Sequence, residues 1–293
     1  MKLALWAMNL AWPISSIEDW AALVDQQAAN AKAQGAELLL LPEYSAAHWF
    51  QLIPRGLPGP EQLSRLADFA PAAIPLMTEI AKKHGILLVS GSFPVHRPDL
   101  NPPVSNRAHI HFPDGRVLVQ DKLCLTPFEK DPTDWDLSPG DTLTVFEWQG
   151  YRMAVLICLD IEMPALSARL ASLDLDLVLV PSMTTRLAGY HRVFDCAKAR
   201  AVELLAGIAV VGVIAGAEGC DQHISGASLF LPCEEEFGHK GVIDAVPPSY
   251  TAPDAGPFLV GDMPLDAIRR MRKGAAEVWP GAWTADHVKI TNG

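Results

Sequence analysis

Five cysteines in 293 residues are too few for a disulfide framework, and the odd count leaves at least one thiol over. Reduced thiols in a reducing compartment are the expectation. Charged residues reach only 19% and no low-complexity tract appears, which excludes a largely disordered chain. Lys and Arg total 23 against 34 Asp and Glu, a formal net charge of -11, and no Lys/Arg cluster stands out. Neither a nucleic-acid partner nor an anionic membrane is therefore expected. No apolar run has the length of a membrane span. The apolar start, Met1 to Pro13, is interrupted at Asn9 and by Pro13 and lacks a clear cleavage site, so it reads as a first strand rather than a signal segment. The expectation is a soluble cytoplasmic protein.

What is present is apolar material: 49% of residues are hydrophobic, enough for one large α/β domain or two small ones. Buried-looking strands are expected at 2–10, 37–41, 86–90, 176–180 and 208–214. Ser15-Ser16 followed by Glu18 and Asp19 marks a helix start, with the helix ending at Gly35. Residues 61–84 read as helical but broken near Pro71 and Pro75, and closed by Gly85. Pro113-Asp114-Gly115 joins two alternating runs, 106–112 and 116–120, as a hairpin. Residues 143–148 and 151–157 form a second hairpin about Gln149-Gly150. Helices are expected at 165–173, 193–205 (stopped by Gly207) and 264–273. Short strands are expected at 228–231 and 241–246, with an irregular Pro-rich arm over 247–257. Hairpins interrupt the strand–helix alternation, so mixed sheets covered by outer helices fit better than a simple doubly wound sheet. No sharp domain boundary and no short-period repeat is visible.

Three strand ends carry candidate chemistry. The apolar run 153–157 delivers Cys158 to a turn before Pro164, where a helix N-terminus would favour a thiolate. Glu43 follows Pro42 at the end of a very apolar strand, where α/β ligands bind and where partial burial would raise its pKa. Lys122 ends the second strand of the Asp-Gly hairpin, and Glu129 lies just beyond Pro127. Each has a plain alternative: a small buried hydrophobe, a solvated loop carboxylate, an edge-strand lysine and a surface glutamate. Lesser candidates read as structural. Cys124 and Cys196 fit core packing, and His191 with Asp195 fits a solvated helix face. Cys220, His223, Cys233 and His239 make a weak zinc pattern, so no metal is expected. Trp135 and Phe128 could wall a pocket or fill the core.

Taken jointly, Leu-Leu-Pro-Glu-Tyr ending at Tyr44, Asp-Lys-Leu-Cys-Leu-Thr-Pro-Phe-Glu ending at Glu129 and Ile-Cys-Leu-Asp-Ile-Glu-Met-Pro ending at Pro164 resemble the nitrilase superfamily, the carbon–nitrogen hydrolases. Residues 176–182, 199–203 and 226–232 also look like family segments, so the resemblance covers about residues 1–246. It implies a four-layer α-β-β-α sandwich with two mixed β-sheets. The whole chain, 1–293, is then one carbon–nitrogen hydrolase domain, with 246–293 as a C-terminal arm and helix. The resemblance also implies pairing into at least a homodimer through the helices beside the cysteine. Glu43 becomes the general base, Lys122 the cationic stabiliser, Cys158 the nucleophile and Glu129 a second, positioning glutamate. The segment Arg200-Ala-Val-Glu-Leu-Leu205 departs from the family pattern, which often has Asn after the Glu. Residues 183–192 match no particular substrate class.

The implied chemistry needs no cofactor. No histidine flanks Cys158, so a carboxylate must take its proton. Lys122 and the Leu159 amide would stabilise the oxyanion, and a thioester would form and hydrolyse. A small linear amide is the expected substrate. A nitrile or an N-carbamoyl compound is the rival, and a catalytically silent scaffold is the rival of another class.

Overall fold

The computed structural model describes residues 1–216, 222–274, 276 and 287–291. The chain opens with β1 (Lys2–Trp6) and α1 (Ile17–Ala33), whose Ser16 side chain accepts the Asp19 amide as an N-cap. β2 (Leu38–Leu40), α2 (Gly59–His84) and β3 (Leu87–His96) follow, then the expected hairpin of β4 (Val104–His111) and β5 (Val117–Asp121). After α3 (Pro127–Lys130) come a second hairpin, β6 (Val145–Trp148) with β7 (Tyr151–Val155), and then α4 (Pro164–Leu170). Next are β8 (Leu177–Ser182), α5 (Leu187–Leu204) and β9 (Gly207–Gly212). β10 (Ser225–Phe230), β11 (Val242–Ser249), β12 (Phe258–Asp262) and α6 (Leu265–Arg272) end the series.

The strands form two six-stranded sheets, ordered β12-β1-β2-β3-β4-β5 and β11-β10-β9-β8-β7-β6. Both follow one plan. Three parallel strands (β1-β2-β3 and β7-β8-β9) are extended by one antiparallel strand on one side and two on the other. Strand alternation sorts the apolar residues into layers. Leu3, Leu5, Leu38 and Leu40 face a core that reaches Val178, Val180 and Ile208 of the second sheet. Their neighbours Ala4, Trp6, Leu39 and Leu41 pack instead with Trp20, Val24, Leu66 and Met77 of α1 and α2. On the other side α5 lies against β9 and β10. Central strands buried on both faces read as continuous apolar runs, which is how they appear in the sequence. The architecture is the expected four-layer α-β-β-α sandwich.

Several boundaries differ from expectation. Helix α2 runs unbroken through Pro71 and Pro75. Both prolines sit on its exposed side, while Leu63, Leu66, Ala67, Ala70, Ala73, Met77 and Ile80 bury the opposite stripe, and that packing outweighs the lost backbone bonds. Helix α5 starts at Leu187 rather than 193, because Tyr190 is buried and stacks on Phe194 one turn on, with ring centroids 4.0 Å apart. Its end at Leu205 is where it was expected, but the stop is Leu205 itself in the left-handed region, φ 44°, and Gly207 opens β9. β11 continues through Pro247 and Pro248, which an edge strand tolerates. β12 was not expected at all: it pairs antiparallel with β1, Lys2 against Asp262, so this part of the C-terminal segment completes the first sheet.

A defect in β3 seats the chain after β2. Pairing of β3 with β4 shifts register between Val89 and Ser92, and Gly91 lies there at φ 70°. The bulge grips residues 41–45. Leu41 N donates to Val89 O at 2.9 Å, Tyr44 N to Ser92 Oγ at 3.1 Å and Ser45 Oγ to Ser90 O at 2.7 Å. A Cβ at Gly91 would stand 1.9 Å from Pro42 O, so only glycine allows this approach. Gly91→Ala is expected to cost about 2 kcal/mol or more, from positive φ and the clash together. A lowered urea midpoint at unchanged slope checks this, and an unaltered midpoint would contradict it.

Three buried histidines stay neutral at pH 7. His109 stacks on Phe93 at 4.5 Å, and His111 lies between Thr78 (3.0 Å to Nδ1) and Ser90 (3.2 Å to Nε2). His48 Nε2 meets Trp12 O at 3.0 Å. Burial lowers His109 to about 3, with His111 beside it adding to the effect, and lowers His111 and His48 to about 4. The unfolded chain therefore binds protons near pH 6.5 that the fold refuses, and stability falls as pH drops below 6.5. Each such histidine costs about 1.4 kcal/mol per pH unit until its folded pKa is reached. His109→Phe keeps the stacked ring and removes one titrating group. Urea titrations from pH 7 to pH 4.5 should show a shallower decline for the variant, and an identical slope would count against His109.

Candidate active site

Five side chains converge where the first sheet meets the turn after β7. Glu43 follows β2 by three residues, and Tyr44 takes a left-handed conformation, φ 47°, that turns the chain back onto the β3 bulge. Lys122 extends β5, its amide donating to Asn106 O of β4 at 2.9 Å. Glu129 sits in the single turn of α3. Thr126 caps that turn through a reciprocal box: Glu129 N donates to Thr126 Oγ1 at 3.2 Å and Thr126 N to Glu129 Oε2 at 2.9 Å. The box fixes the carboxylate that Lys122 meets.

Lys122 Nζ donates to Glu43 Oε1 at 2.7 Å and to both Glu129 oxygens at 2.8 and 2.7 Å. All three side chains are 3% exposed or less. Two residues not foreseen complete this network. Asn106 Nδ2 donates to Glu43 Oε1 at 3.0 Å, and the Tyr44 hydroxyl donates to Glu129 Oε1 at 2.8 Å. Nothing in the sequence of β4 separates Asn106 from an ordinary strand residue, although a polar residue at a fully buried strand position is a signal in itself. Tyr44 stood inside the motif, but only the fold turns its hydroxyl inward.

The charges do not balance, since one ammonium faces two carboxylates. Burial raises Glu43 to about 7; Lys122 opposes that rise and Glu129 adds to it. Burial also acts to raise Glu129, but the Lys122 charge and hydrogen bonds outweigh it and hold this carboxyl below its ordinary value. Lys122 is pushed down by burial and pulled up more strongly by Glu43 and Glu129, so it stays an ammonium. One carboxylate is thus kept ionised while its neighbour is poised near neutrality.

Cys158 arrives from the second sheet. It opens a 3-10 turn, Cys158–Glu162, with its own φ at 48°. The α-helix begins only at Pro164, so no helix N-terminus faces the thiol as had been expected. Burial, and then the Glu43 charge, push the thiol well above its ordinary pKa, with Lys122 opposing. The resting group is therefore a protonated thiol, and the Glu43 charge acts on it. Its Sγ lies 3.6 Å from Met183 O, which accepts from it. Leu159 is half-buried, and its amide makes no hydrogen bond to any described residue. Behind the turn, fully buried Asp160 accepts from Ile157 N, Leu123 N and Cys124 N, and burial lifts it to about 6 against those three bonds.

An aromatic series leads outward. Tyr44 contacts Trp135 edge-on at 4.7 Å, and Trp135 contacts Phe128 at 5.1 Å. Tyr44 is buried, Trp135 half-buried and Phe128 49% exposed, so the series runs from Glu129 to solvent. Cys124 and Cys196 are half-buried, and Cys196 packs against the core between the sheets and α5. His191 and Asp195 lie 3.7 Å apart on an exposed helix face, as the spacing implied. Of the weak zinc set, Cys220 lies outside the described residues. Among those described, no three His, Cys, Asp or Glu side chains are grouped to hold a metal ion. No described helix is long and apolar enough to cross a membrane.

Comparisons with known proteins bear on the family and the fold. Over 265 residues the chain is 28% identical to a probable hydrolase, YhcX, of Bacillus subtilis, covering 89% of this chain and 49% of that protein. It is 30% identical over 189 residues to an (R)-stereoselective amidase of a Pseudomonas species, covering 64% of this chain and 63% of the amidase. The chain therefore spans roughly half to just under two thirds of these curated relatives. An amidase from Nesterenkonia sp. AN1, solved in complex with butyramide, superimposes with a TM-score of 0.69 at 24% identity, covering 94% of this chain and 95% of that one. Nit3 of Saccharomyces cerevisiae, a nitrilase-superfamily member, also gives 0.69, at 18% identity, covering 97% of both chains. These two likenesses establish the shared fold. The carbon-nitrogen hydrolase profile matches residues 2–213, and with the strand-end motifs in place on that fold the chain belongs to the carbon-nitrogen hydrolase family.

Proposed function

We propose that the protein hydrolyses a small linear amide to an acid and ammonia or an amine, with Cys158 as nucleophile, Glu43 as general base and acid, and Lys122 and the Leu159 amide as oxyanion donors. The observation that carries this reading is the buried ammonium of Lys122 held at 2.7 Å from Glu43 beside a buried thiol. As Sγ attacks the amide carbon, its proton passes to Glu43 and the carbonyl electrons move onto oxygen, beside Lys122 and the Leu159 N–H. Collapse expels the amine, which takes the proton from Glu43 and leaves a thioester on Cys158. Water then attacks, again giving its proton to Glu43, and the acid departs as Cys158 is reprotonated. Glu43 near pH 7 can both accept and return a proton under neutral conditions. Glu129 acts through Lys122 as a positioning residue. No step requires a cofactor or metal.

The aromatic series from Tyr44 to Phe128 favours a substrate with an apolar acyl or amine portion. A nitrile would enter the same cycle through a thioimidate, and an N-carbamoyl compound through its ureido carbonyl. A silent scaffold gives no reason to bury Lys122 between two carboxylates next to a thiol, since such burial is costly. We read residues 1–293 as one domain acting in the cytoplasm, where Cys158 stays reduced.

Ammonia release from a panel of amides, nitriles and carbamoyl compounds tests the reaction class. Cys158→Ala should abolish turnover in a folded protein, and Lys122→Ala should lower kcat by about 10² to 10³ with a smaller change in KM. Near-wild-type kcat in either variant rejects the mechanism. The acid limb of kcat/KM should fall near pH 7. In Glu129→Gln, loss of a charge that raises Glu43 should move that limb to lower pH.

Assembly follows from the outer helices. α4 and α5 present Ala165, Ala168, Ala199 and Val202 beside the Arg200–Glu203 ion pair, a part-apolar face that suits a homodimer. Sedimentation at micromolar concentration should give at least twice the 31.7 kDa chain mass, and a species of single-chain mass would refute the dimer.

A further inference from the structure

The proposed catalytic set is split between the two sheets. Glu43, Tyr44, Asn106, Lys122 and Glu129 all hang from β2, β4 and β5 of the first sheet or the α3 turn that follows it. Cys158 and its acceptor Met183 follow β7 and β8 of the second. No backbone ladder joins the sheets at this point. The nucleophile must nevertheless sit within bonding distance of a substrate carbon whose oxygen faces Lys122.

Asp160 bridges this gap. Its Oδ1 accepts from Cys124 N at 2.7 Å, and its Oδ2 accepts from Leu123 N at 3.3 Å and Ile157 N at 3.0 Å. Leu123 follows Lys122 directly, and Ile157 directly precedes Cys158. The bonds from Leu123 and Cys124 are the only hydrogen bonds among the described residues that cross from segment 122–126 to segment 156–162. The carboxylate is completely buried and touches no solvent that could stand in for either partner. A residue serving only the local turn would need the Ile157 bond alone. The other two reach into the lysine loop, and they draw both oxygens of one rigid, planar group into the link.

We propose that Asp160 is the positioning residue that sets the separation and orientation of Cys158 relative to Lys122, a role that rests on the reading of these two as nucleophile and oxyanion donor. It touches no reacting atom. It acts by holding two backbone segments from different sheets on one carboxylate, so that the sulfur and the ammonium move together. Replacing one oxygen by an NH2 group opposes a donor to a donor, and at least one of the three bonds is lost. A displacement of about 1 Å at the nucleophile is enough to cost two orders of magnitude in rate.

Asp160→Asn is the test, with folding checked by circular dichroism and Cys158→Ala as control. The expected result is a kcat lowered about 10- to 100-fold with KM changed less than about threefold. Iodoacetamide alkylation of Cys158, followed by peptide mapping, should slow in the same proportion, a readout that needs no knowledge of the substrate. A variant with a lower melting temperature but wild-type kcat and alkylation rate overturns the proposal. Activity surviving in Cys158→Ala would instead reject the nucleophile assignment, so the two failures are distinguishable. A second measurement uses the unaltered protein. The amide hydrogens of Leu123, Cys124 and Ile157 share one anchor, so they should exchange with solvent as one unit, and exchange of the first two at a rate unrelated to the third overturns the link.

Discussion

The structure turns on one ammonium group buried between two carboxylates. Removing Lys122, Glu43 and Glu129 from water costs several kcal/mol for each ion on an order-of-magnitude scale, and only close, fully bonded geometry offsets it. That geometry comes from many places. Glu129 is fixed by the Thr126 box and the Tyr44 hydroxyl, Glu43 by Asn106, and Lys122 by the β4–β5 ladder. None of these supports does chemistry, yet without them the excess negative charge would be relieved by water or by a proton. The uneven balance is useful in itself. Because Lys122 answers Glu129 with two contacts and Glu43 with one, the two carboxyls separate in acidity, and only one is left able to exchange a proton near neutral pH.

Much of this was legible in the chain. Apolar runs buried on both faces announced the central strands, and the Asp114-Gly115 and Gln149-Gly150 turns marked both hairpins. Glu43, Lys122 and Cys158 stood at strand ends, where side chains leave a core for a site, and Glu129 stood just past Pro127 in the same motif as Lys122. Other features could not be read locally. β12 is five residues long and finds its partner some 250 residues away in β1, a pairing that carries no local signal. The unbroken α2 depends on packing that overrides two prolines. Asn106 and Asp160 matter through what they reach across the fold: the first stands in an ordinary strand, and the second stands inside the cysteine motif, which does not show what its carboxylate binds. The expectation of a helix N-terminus at Cys158 failed because a 3-10 turn intervenes before Pro164. The proposed mechanism therefore calls on a neighbouring base rather than on a helix dipole.

Both sheets share one strand plan, and each contributes a different part of the site. The first supplies the charged groups and the second the sulfur. The chain thereby keeps its proposed proton-transfer groups and its proposed nucleophile on two sheets that meet across one shared apolar core.

The bulge at Gly91 bears on how this protein can be improved. Regularising a strand and replacing glycine by alanine are standard routes to a hardier protein. Here the irregularity is the seat on which residues 41–45, and so the proposed base, rest. A designer who straightened β3 would gain an ideal ladder and lose the reason Glu43 points inward. Durability in this fold is better sought elsewhere, on the outer helices or on the β11 edge.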